Sequence, residues 1–230
     1  MSKIQNNLET IYQNMEMAAI ESGRKLEDIT LIAVTKNVDI IQINELISLG
    51  VNNLGENKAQ EMLAKYNKTI GEPMWHFIGH LQTNKVKYIA DKVQTIQSVD
   101  SERLAIEINK KAKQLSKEIE IFIEVNISGE STKYGIEPSK IYEFIEHICV
   151  LSNIRITGLM CMAPFLTNPE KNRVFFEKIY KLRIDINKKF YHNINIRNLS
   201  MGMTNDYIAA IKEGATMIRV GTAIFSDRAG

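Results

Sequence analysis

The chain has 230 residues, 44% hydrophobic and 24% charged, and its 29 Lys and Arg residues nearly balance its 27 Asp and Glu residues. A formal net charge of +2 gives no reason to expect nucleic acid or an anionic membrane as the main partner. No apolar run is long enough to span a membrane, the N-terminus has no apolar signal segment, and the two cysteines lack metal-ligand spacing, so we expect a cytoplasmic protein.

The chain begins with an amphipathic pattern that predicts a helix over residues 5–22, ended by Gly23. Apolar runs then predict eight strands, near residues 30–35, 51–55, 74–78, 93–98, 120–127, 154–161, 196–200 and 216–220. Helical patterns lie between them, near residues 39–49, 57–66, 82–91, 101–117, 138–150, 170–190 and 204–213.

Eight alternations of strand and helix predict a (β/α)₈ barrel, and the absence of a linker predicts one domain over residues 1–230. A doubly wound open sheet is the alternative, because it shows the same alternation. In a barrel, functional residues lie at the carboxyl ends of the strands and in the loops that follow them.

The first strand ends on Thr35 and Lys36, directly after the apolar run 31–34. A lysine here is either a surface residue whose stem lies along apolar surface, or an amine in a dry pocket. In a dry pocket its pKa would be lowered, which suits Schiff-base chemistry. This stretch taken alone does not decide between the two.

The loops after strands seven and eight contain the residues expected of a phosphate site. Ser200 and Thr222 offer hydroxyls, and Gly202 and Gly221 allow backbone N–H groups to approach an anion. A short helix over 222–226 would add free N–H groups at its start. The alternative is that these glycines only relieve strain in turns. Arg219 would be a structural ion pair, a phosphate ligand, or a hydrogen-bond donor to a ring nitrogen of a cofactor.

His76 and His80 have the spacing of a helical metal motif, but Phe77 and Ile78 read as strand and Gly79 breaks a helix. We therefore expect no metal site. The sequence also shows no catalytic triad order, no paired catalytic carboxylates and no dinucleotide-binding glycine motif.

Six long motifs, in order along nearly the whole chain, resemble the pyridoxal phosphate homeostasis proteins, also called proline synthase co-transcribed proteins. They are AVTKN (33–37), LGENKAQE (54–61), WHFIGHLQTNK (75–85), VNIS…KYGI (125–136), GLMCMAP (158–164) and the run from LSMGMTNDY to IRVGTAIF (199–225). The chain departs slightly at Ser226, where glycine is common in the family.

The resemblance implies a barrel like the N-terminal domain of alanine racemase, a fold type III protein that binds pyridoxal 5′-phosphate (PLP). It implies that Lys36 forms the Schiff base with PLP and that Arg219 faces the pyridine nitrogen. Asn57 would lie beside the ring, with His76 and Met201 as pocket neighbours. The resemblance assigns the phosphate to the four loop residues Ser200, Gly202, Gly221 and Thr222.

An arginine at the pyridine nitrogen disfavours its protonation and supports carbanion chemistry poorly. The resemblance therefore favours a PLP carrier or buffer over an enzyme with robust turnover, with links to amino-acid and keto-acid balance. A PLP-dependent amino-acid racemase is the alternative, and a cofactor-free phosphate-binding barrel enzyme is a third. Apo PLP-dependent enzymes are possible partners, and we expect a monomer, with a dimer as the alternative.

Overall fold

The computed structural model describes residues 1–130, 132–189, 191 and 193–226. The strands are β1 Thr30–Val34, β2 Asn53–Glu56, β3 Met74–Phe77, β4 Val93–Val99, β5 Ile119–Val125, β6 Ile154–Cys161, β7 Ile194–Met203 and β8 Met217–Val220. The helices are α1 Lys3–Glu21, α2 Ile40–Ser48, α3 Ala59–Tyr66, α4 Val86–Ile89, α5 Glu102–Gln114, α6 Ile141–Ile148, α7 Arg173–Asn187, α8 Tyr207–Lys212 and α9 Thr222–Phe225.

The eight strands form a closed parallel barrel in sequence order, β1 to β8. Closure is made by β8 pairing with β1, where Ala33 faces Val220 across the seam, while Ala33 also pairs with Leu54 of β2. The predicted (β/α)₈ barrel is confirmed, and the open-sheet alternative is wrong, because an open sheet would leave β1 and β8 as edges. All eight carboxyl ends meet at one rim.

The helix boundaries follow from local chemistry. Asp39 begins α2 by accepting a hydrogen bond from the Ile41 N–H at 2.8 Å, a typical N-cap. Gly23 and Gly50, just after α1 and α2, have φ values of +69° and +91°. Glycine adopts this left-handed conformation without steric cost, so both positions end their helices as predicted.

Most of the apolar core lies between the barrel wall and the surrounding helices, where outward-facing strand residues such as Leu54, Trp75 and Leu199 are buried. The barrel interior is partly polar. Gln97 of β4 contacts Ser200 of β7, and these strands are not neighbours, so their hydrogen bond crosses the interior. This polar interior leads to the site at the rim.

The clearest departures from the sequence prediction are at two elements. The predicted helix over 82–91 is a single 3₁₀ turn, Thr83–Lys85, followed by the short α4. β7 extends three residues further than predicted, to Met203. Residue 190, at the end of the predicted helix 170–190, lies outside the described residues. Within the described part of the chain, no helix combines the length and apolar character needed to cross a membrane.

Candidate functional site

A cavity of about 490 Å³ opens at the carboxyl-end rim of the barrel, between the loops that follow β1, β7 and β8. This rim cavity has a size typical of small-molecule sites. Its lining includes Lys36, Met203, Thr204, Arg219, Gly221 and Thr222. It contains two cationic side chains, and among the described residues no Asp or Glu lines it. The rim cavity therefore favours an anionic ligand.

Lys36 lies in the β1–α2 loop, two residues beyond the last residue of β1, and its side chain is exposed at the mouth of the rim cavity. Of the two alternatives for Lys36, the protein alone shows the exposed residue, because β1 ends at Val34 and the chain emerges into solvent only after the fully buried Thr35. Lys36 makes no hydrogen bond or ion pair within the described part of the chain. None of the described residues therefore holds its amine away from a ligand.

Arg219, from β8, is buried, with 4% of its surface exposed, yet it reaches the rim cavity. Nη1 donates to Oγ of Ser200 at 2.7 Å and Nη2 donates to the carbonyl of Cys161 at 2.8 Å. Burial lowers the pKa of Arg219, but a guanidinium remains charged in proteins. No carboxylate among the described residues forms an ion pair with it. A buried cation held only by neutral acceptors is costly unless a ligand compensates it.

A chain of hydrogen bonds runs from this guanidinium across the barrel. Ser200 donates to Oε1 of Gln97 at 2.7 Å, and Nε2 of Gln97 approaches Nδ1 of His76 at 3.3 Å. Thr95 also contacts that nitrogen, at 2.7 Å, while Nε2 of His76 faces Oδ1 of Asn53 at 3.0 Å. Burial lowers the pKa of His76 to about 4, so the ring is neutral, and these partners assign the proton to Nε2. These hydrogen bonds together fix the orientation of the Arg219 guanidinium.

The structure brings Lys36, Arg219, Gly221 and Thr222 together at the rim cavity. Ser200 lies behind Arg219, is fully buried, and reaches the cavity only through that side chain.

The other predicted site residues lie elsewhere. Met201 is buried in the apolar layer between barrel and helices. Gly202 packs against α8: a Cβ there would lie 2.6 Å from the Cβ of Ala210. Asn57 lines a second cavity of about 200 Å³ between the β2 and β3 loops, and its Oδ1 is buried without a hydrogen-bond partner. Direct contacts of these residues with a ligand stay predictions.

His76 and His80 point to different surroundings. His76 is inside the barrel, whereas His80 stacks on Tyr134 with ring centroids 4.0 Å apart and lies 3.2 Å from a carboxylate oxygen of Asp100. The described residues contain no group of three His, Cys, Asp or Glu side chains that could hold a metal ion.

Glu124 is a site neighbour that the sequence reasoning missed. It lies near the end of β5 with 3% of its surface exposed. Burial raises the pKa of Glu124 to about 7, with a further increase from the charge of Asp100 and an opposing effect from Arg219. The signal was an acidic residue that interrupts the apolar run 121–125 in the second half of β5.

The chain thus forms a closed parallel barrel with a lysine after its first strand and an arginine on its last strand. The family "Alanine racemase, N-terminal domain" matches residues 6–229, so the chain belongs to this class of barrels.

Within that class, the chain belongs to the pyridoxal phosphate homeostasis protein family. It is 40% identical over 222 residues to such a protein from Aquifex aeolicus, covering 96% of each chain. A crystal structure of an unknown protein from Bifidobacterium adolescentis is 33% identical, with a TM-score of 0.90 over 97% of this chain and 94% of that chain. PipY from Synechococcus elongatus, solved with PLP bound, is 29% identical, with a TM-score of 0.80 over 86% and 93%.

Proposed function

We propose that this chain binds PLP reversibly as a Schiff base on Lys36 in the rim cavity. Through this binding it buffers or delivers PLP inside the cell, with indirect effects on amino-acid and keto-acid metabolism. The chain would act as a single barrel domain in the cytoplasm, as a monomer or a dimer. Apo PLP-dependent enzymes are the proposed recipients. Membership of the pyridoxal phosphate homeostasis family and the PLP bound to PipY support this assignment.

The observation that carries the proposal is the buried guanidinium of Arg219. It has two neutral hydrogen-bond acceptors and no ion-pair partner in the described part of the chain, and it shares the rim cavity with the amine of Lys36. A ligand that offers the guanidinium a further hydrogen-bond acceptor and the amine an electrophilic group satisfies both features. Within the proposal, Thr222 and the backbone at Gly221 bind the phosphate, and Arg219 faces the ring.

When bound, PLP supplies an aldehyde that reacts reversibly with a primary amine. Lys36 provides that amine in an exposed position, which suits capture and release. Racemisation also needs acid or base groups on both faces of the substrate. Apart from Lys36, the described lining of the rim cavity contains no His, Tyr, Cys, Asp or Glu to take the second role. The lining therefore favours a carrier over the alternative, an amino-acid racemase.

The test is an absorption titration of the purified protein with PLP, comparing the unmodified chain with Lys36→Ala. The proposal predicts a Schiff-base band that Lys36→Ala abolishes. Lys58→Ala is the matched control, because Lys58 lines the second cavity and its loss should leave the band unchanged. A chain that shows no band with added PLP would favour the cofactor-free phosphate-binding enzyme instead.

A panel of L-amino acids separates carrier from enzyme. Incubated with the PLP-loaded protein, the amino acids should show no racemisation or other turnover near the rate of an ordinary enzyme. Turnover of roughly 1 s⁻¹ or more would contradict the carrier and support the racemase alternative.

A further inference from the structure

A cluster of charged side chains lies beneath the loop that carries Lys36. Nζ of Lys65, from α3, donates to the carbonyl of Thr35 at 2.6 Å, to Oε1 of Glu56 at 2.7 Å and to Oε1 of Glu61 at 2.8 Å. Glu56 is fully buried, and 9% of Lys65 is exposed. Thr35 also donates its hydroxyl to Glu56, at 2.7 Å. None of the three charged residues lines the rim cavity.

The cluster holds both peptide groups that flank Lys36. The Thr35 carbonyl belongs to the peptide group before Lys36 and is bound by Lys65. The Asn37 N–H belongs to the peptide group after Lys36 and donates to Oε1 of Glu61. Because peptide groups are planar, fixing both of them fixes φ and ψ of the residue between them. The backbone of Lys36 is therefore set by contacts outside the rim cavity.

The next residue shows that this conformation is constrained. Asn37 has a φ of +58°, in the left-handed region, which asparagine adopts more readily than other non-glycine residues but which still needs a defined set of local contacts. Burial alone would raise the pKa of Glu61, but the hydrogen bonds from Lys65 and from the Asn37 N–H lower it below its usual value. Glu61 is thus an ionised acceptor that holds the peptide group between Lys36 and Asn37 in place.

Stability alone explains such a cluster poorly. Buried ion pairs lose much hydration, and apolar residues of similar size often stabilise a fold equally well. A charged cluster does provide directional hydrogen bonds at fixed positions, and here those bonds end on the two peptide groups around Lys36.

We propose that Lys65, Glu56 and Glu61 are positioning residues that aim the amine of Lys36 into the rim cavity. The inference rests on the proposed function. In the reaction, unprotonated Nζ of Lys36 attacks the aldehyde carbon and forms a C–N bond. The two amine protons and the aldehyde oxygen leave as one water molecule, and release of the aldehyde adds that water back. The cluster speeds capture by holding Nζ in line with the bound aldehyde.

Glu61→Ala is the sharpest variant, because Glu61 is half-buried and its loss frees the Asn37 N–H without leaving a fully buried charge. We expect Schiff-base formation, followed by stopped-flow absorbance, to slow about tenfold or more. Glu61→Gln keeps an acceptor oxygen and should stay within about threefold of the unmodified chain. Lys65→Met should slow capture in the same way, but it should also lower the free energy of unfolding, because it leaves the fully buried carboxylate of Glu56 without its ion-pair partner. Lys212→Met, which removes an ion pair between α8 and Glu21, is the control for loss of a lysine charge.

Two further readouts separate positioning from a general loosening of the structure. Affinity for pyridoxine 5′-phosphate, which lacks the aldehyde, should change less than about twofold in Glu61→Ala. In the ligand-free protein, hydrogen exchange of the Asn37 amide should be faster in Glu61→Ala than in Glu61→Gln. An unchanged capture rate in Glu61→Ala would overturn the positioning role, and so would parallel losses of capture rate and pyridoxine 5′-phosphate affinity. Either result would leave the proposed function of the chain intact. An unmodified chain that never forms the Schiff base would overturn the proposed function as well.

Discussion

Oγ of Ser200 accepts a hydrogen bond from Nη1 of Arg219 at 2.7 Å and donates one to Oε1 of Gln97 at the same distance. The hydroxyl is fully buried and engaged on both sides. Ser200 therefore holds the guanidinium in place, while Thr222 and Gly221 line the rim cavity itself. This arrangement divides the predicted phosphate residues into two groups that respond differently to substitution.

Thr222→Val removes a hydroxyl from the cavity lining at nearly constant volume. We expect PLP affinity to fall about tenfold, because a hydrogen bond to an anion contributes roughly 1.5–3 kcal/mol. Affinity for pyridoxal, which lacks the phosphate, should stay nearly constant. Absorption titrations with PLP and with pyridoxal measure the loss of affinity for each ligand. Equal losses for the two ligands would refute a phosphate role for Thr222.

Ser200→Ala acts on the support of Arg219. It leaves one donor of the guanidinium and the oxygen of Gln97 without their partner, and we expect a loss of about 1–3 kcal/mol in the free energy of unfolding. Urea denaturation at constant m-value measures it. PLP and pyridoxal affinities should fall together, because the ring contact is disturbed. A loss confined to PLP would show that Ser200 binds the phosphate directly.

Gly202 and Gly50 form a matched pair, with φ values of +90° and +91°. A Cβ at Gly202 would lie 2.6 Å from the Cβ of Ala210 and 2.9 Å from Cα of Tyr207, whereas nothing lies within 4 Å at Gly50. Gly50→Ala should cost about 1 kcal/mol of unfolding free energy from backbone strain, and Gly202→Ala about 1–3 kcal/mol more from the clash. If urea denaturation gives the same loss of unfolding free energy for both variants, α8 moves to accommodate the added Cβ at Gly202 without a measurable penalty.

His76 and Glu124 should give opposite dependences of stability on pH. The pKa of His76 falls from 6.5 to about 4, so its contribution is present above pH 6.5 and is lost as the pH falls through 4. The pKa of Glu124 rises from 4.5 to about 7, so its contribution is present below pH 4.5 and is lost as the pH rises through 7. Between pH 4.5 and 6.5 the two slopes oppose each other, each at most about 1.4 kcal/mol per pH unit.

Substituting one residue at a time should reveal how much each contributes to the pH dependence of stability. Relative to the unmodified chain, Glu124→Gln should lose stability as the pH is lowered from 7 to 4.5, and His76→Gln should gain stability as it is lowered from 6.5 to 4. Thermal unfolding across this range, compared at each pH with the unmodified chain, measures both differences. Parallel pH profiles for all three proteins would contradict the assigned pKa directions.

The sequence predicts the barrel and part of the site for identifiable reasons. Eight alternations of strand and helix indicate the fold, and β6 has the predicted bounds 154–161. Lys36, Arg219 and Thr222 lie at one rim, because every parallel strand ends there, while their roles toward a ligand stay predictions.

The direction of the β7 side chains could not be read from the sequence. The pairing of β7 with β8 shifts register between Ser200 and Met203, so simple alternation fails beyond Ser200. The burial of Lys65 could not be predicted from the sequence either, because a lysine on a short amphipathic helix usually lies in solvent. Both features depend on long-range packing that no local pattern contains.

Whether Lys36 carries PLP is measured directly by borohydride reduction of the PLP-loaded protein followed by peptide mapping. Reduction converts the reversible link into a stable amine, so mass spectrometry identifies the modified residue. We predict one phosphopyridoxyl group, on the peptide that contains Lys36. A protein modified mainly at Lys58 or Lys85, or not modified at all, would contradict the account.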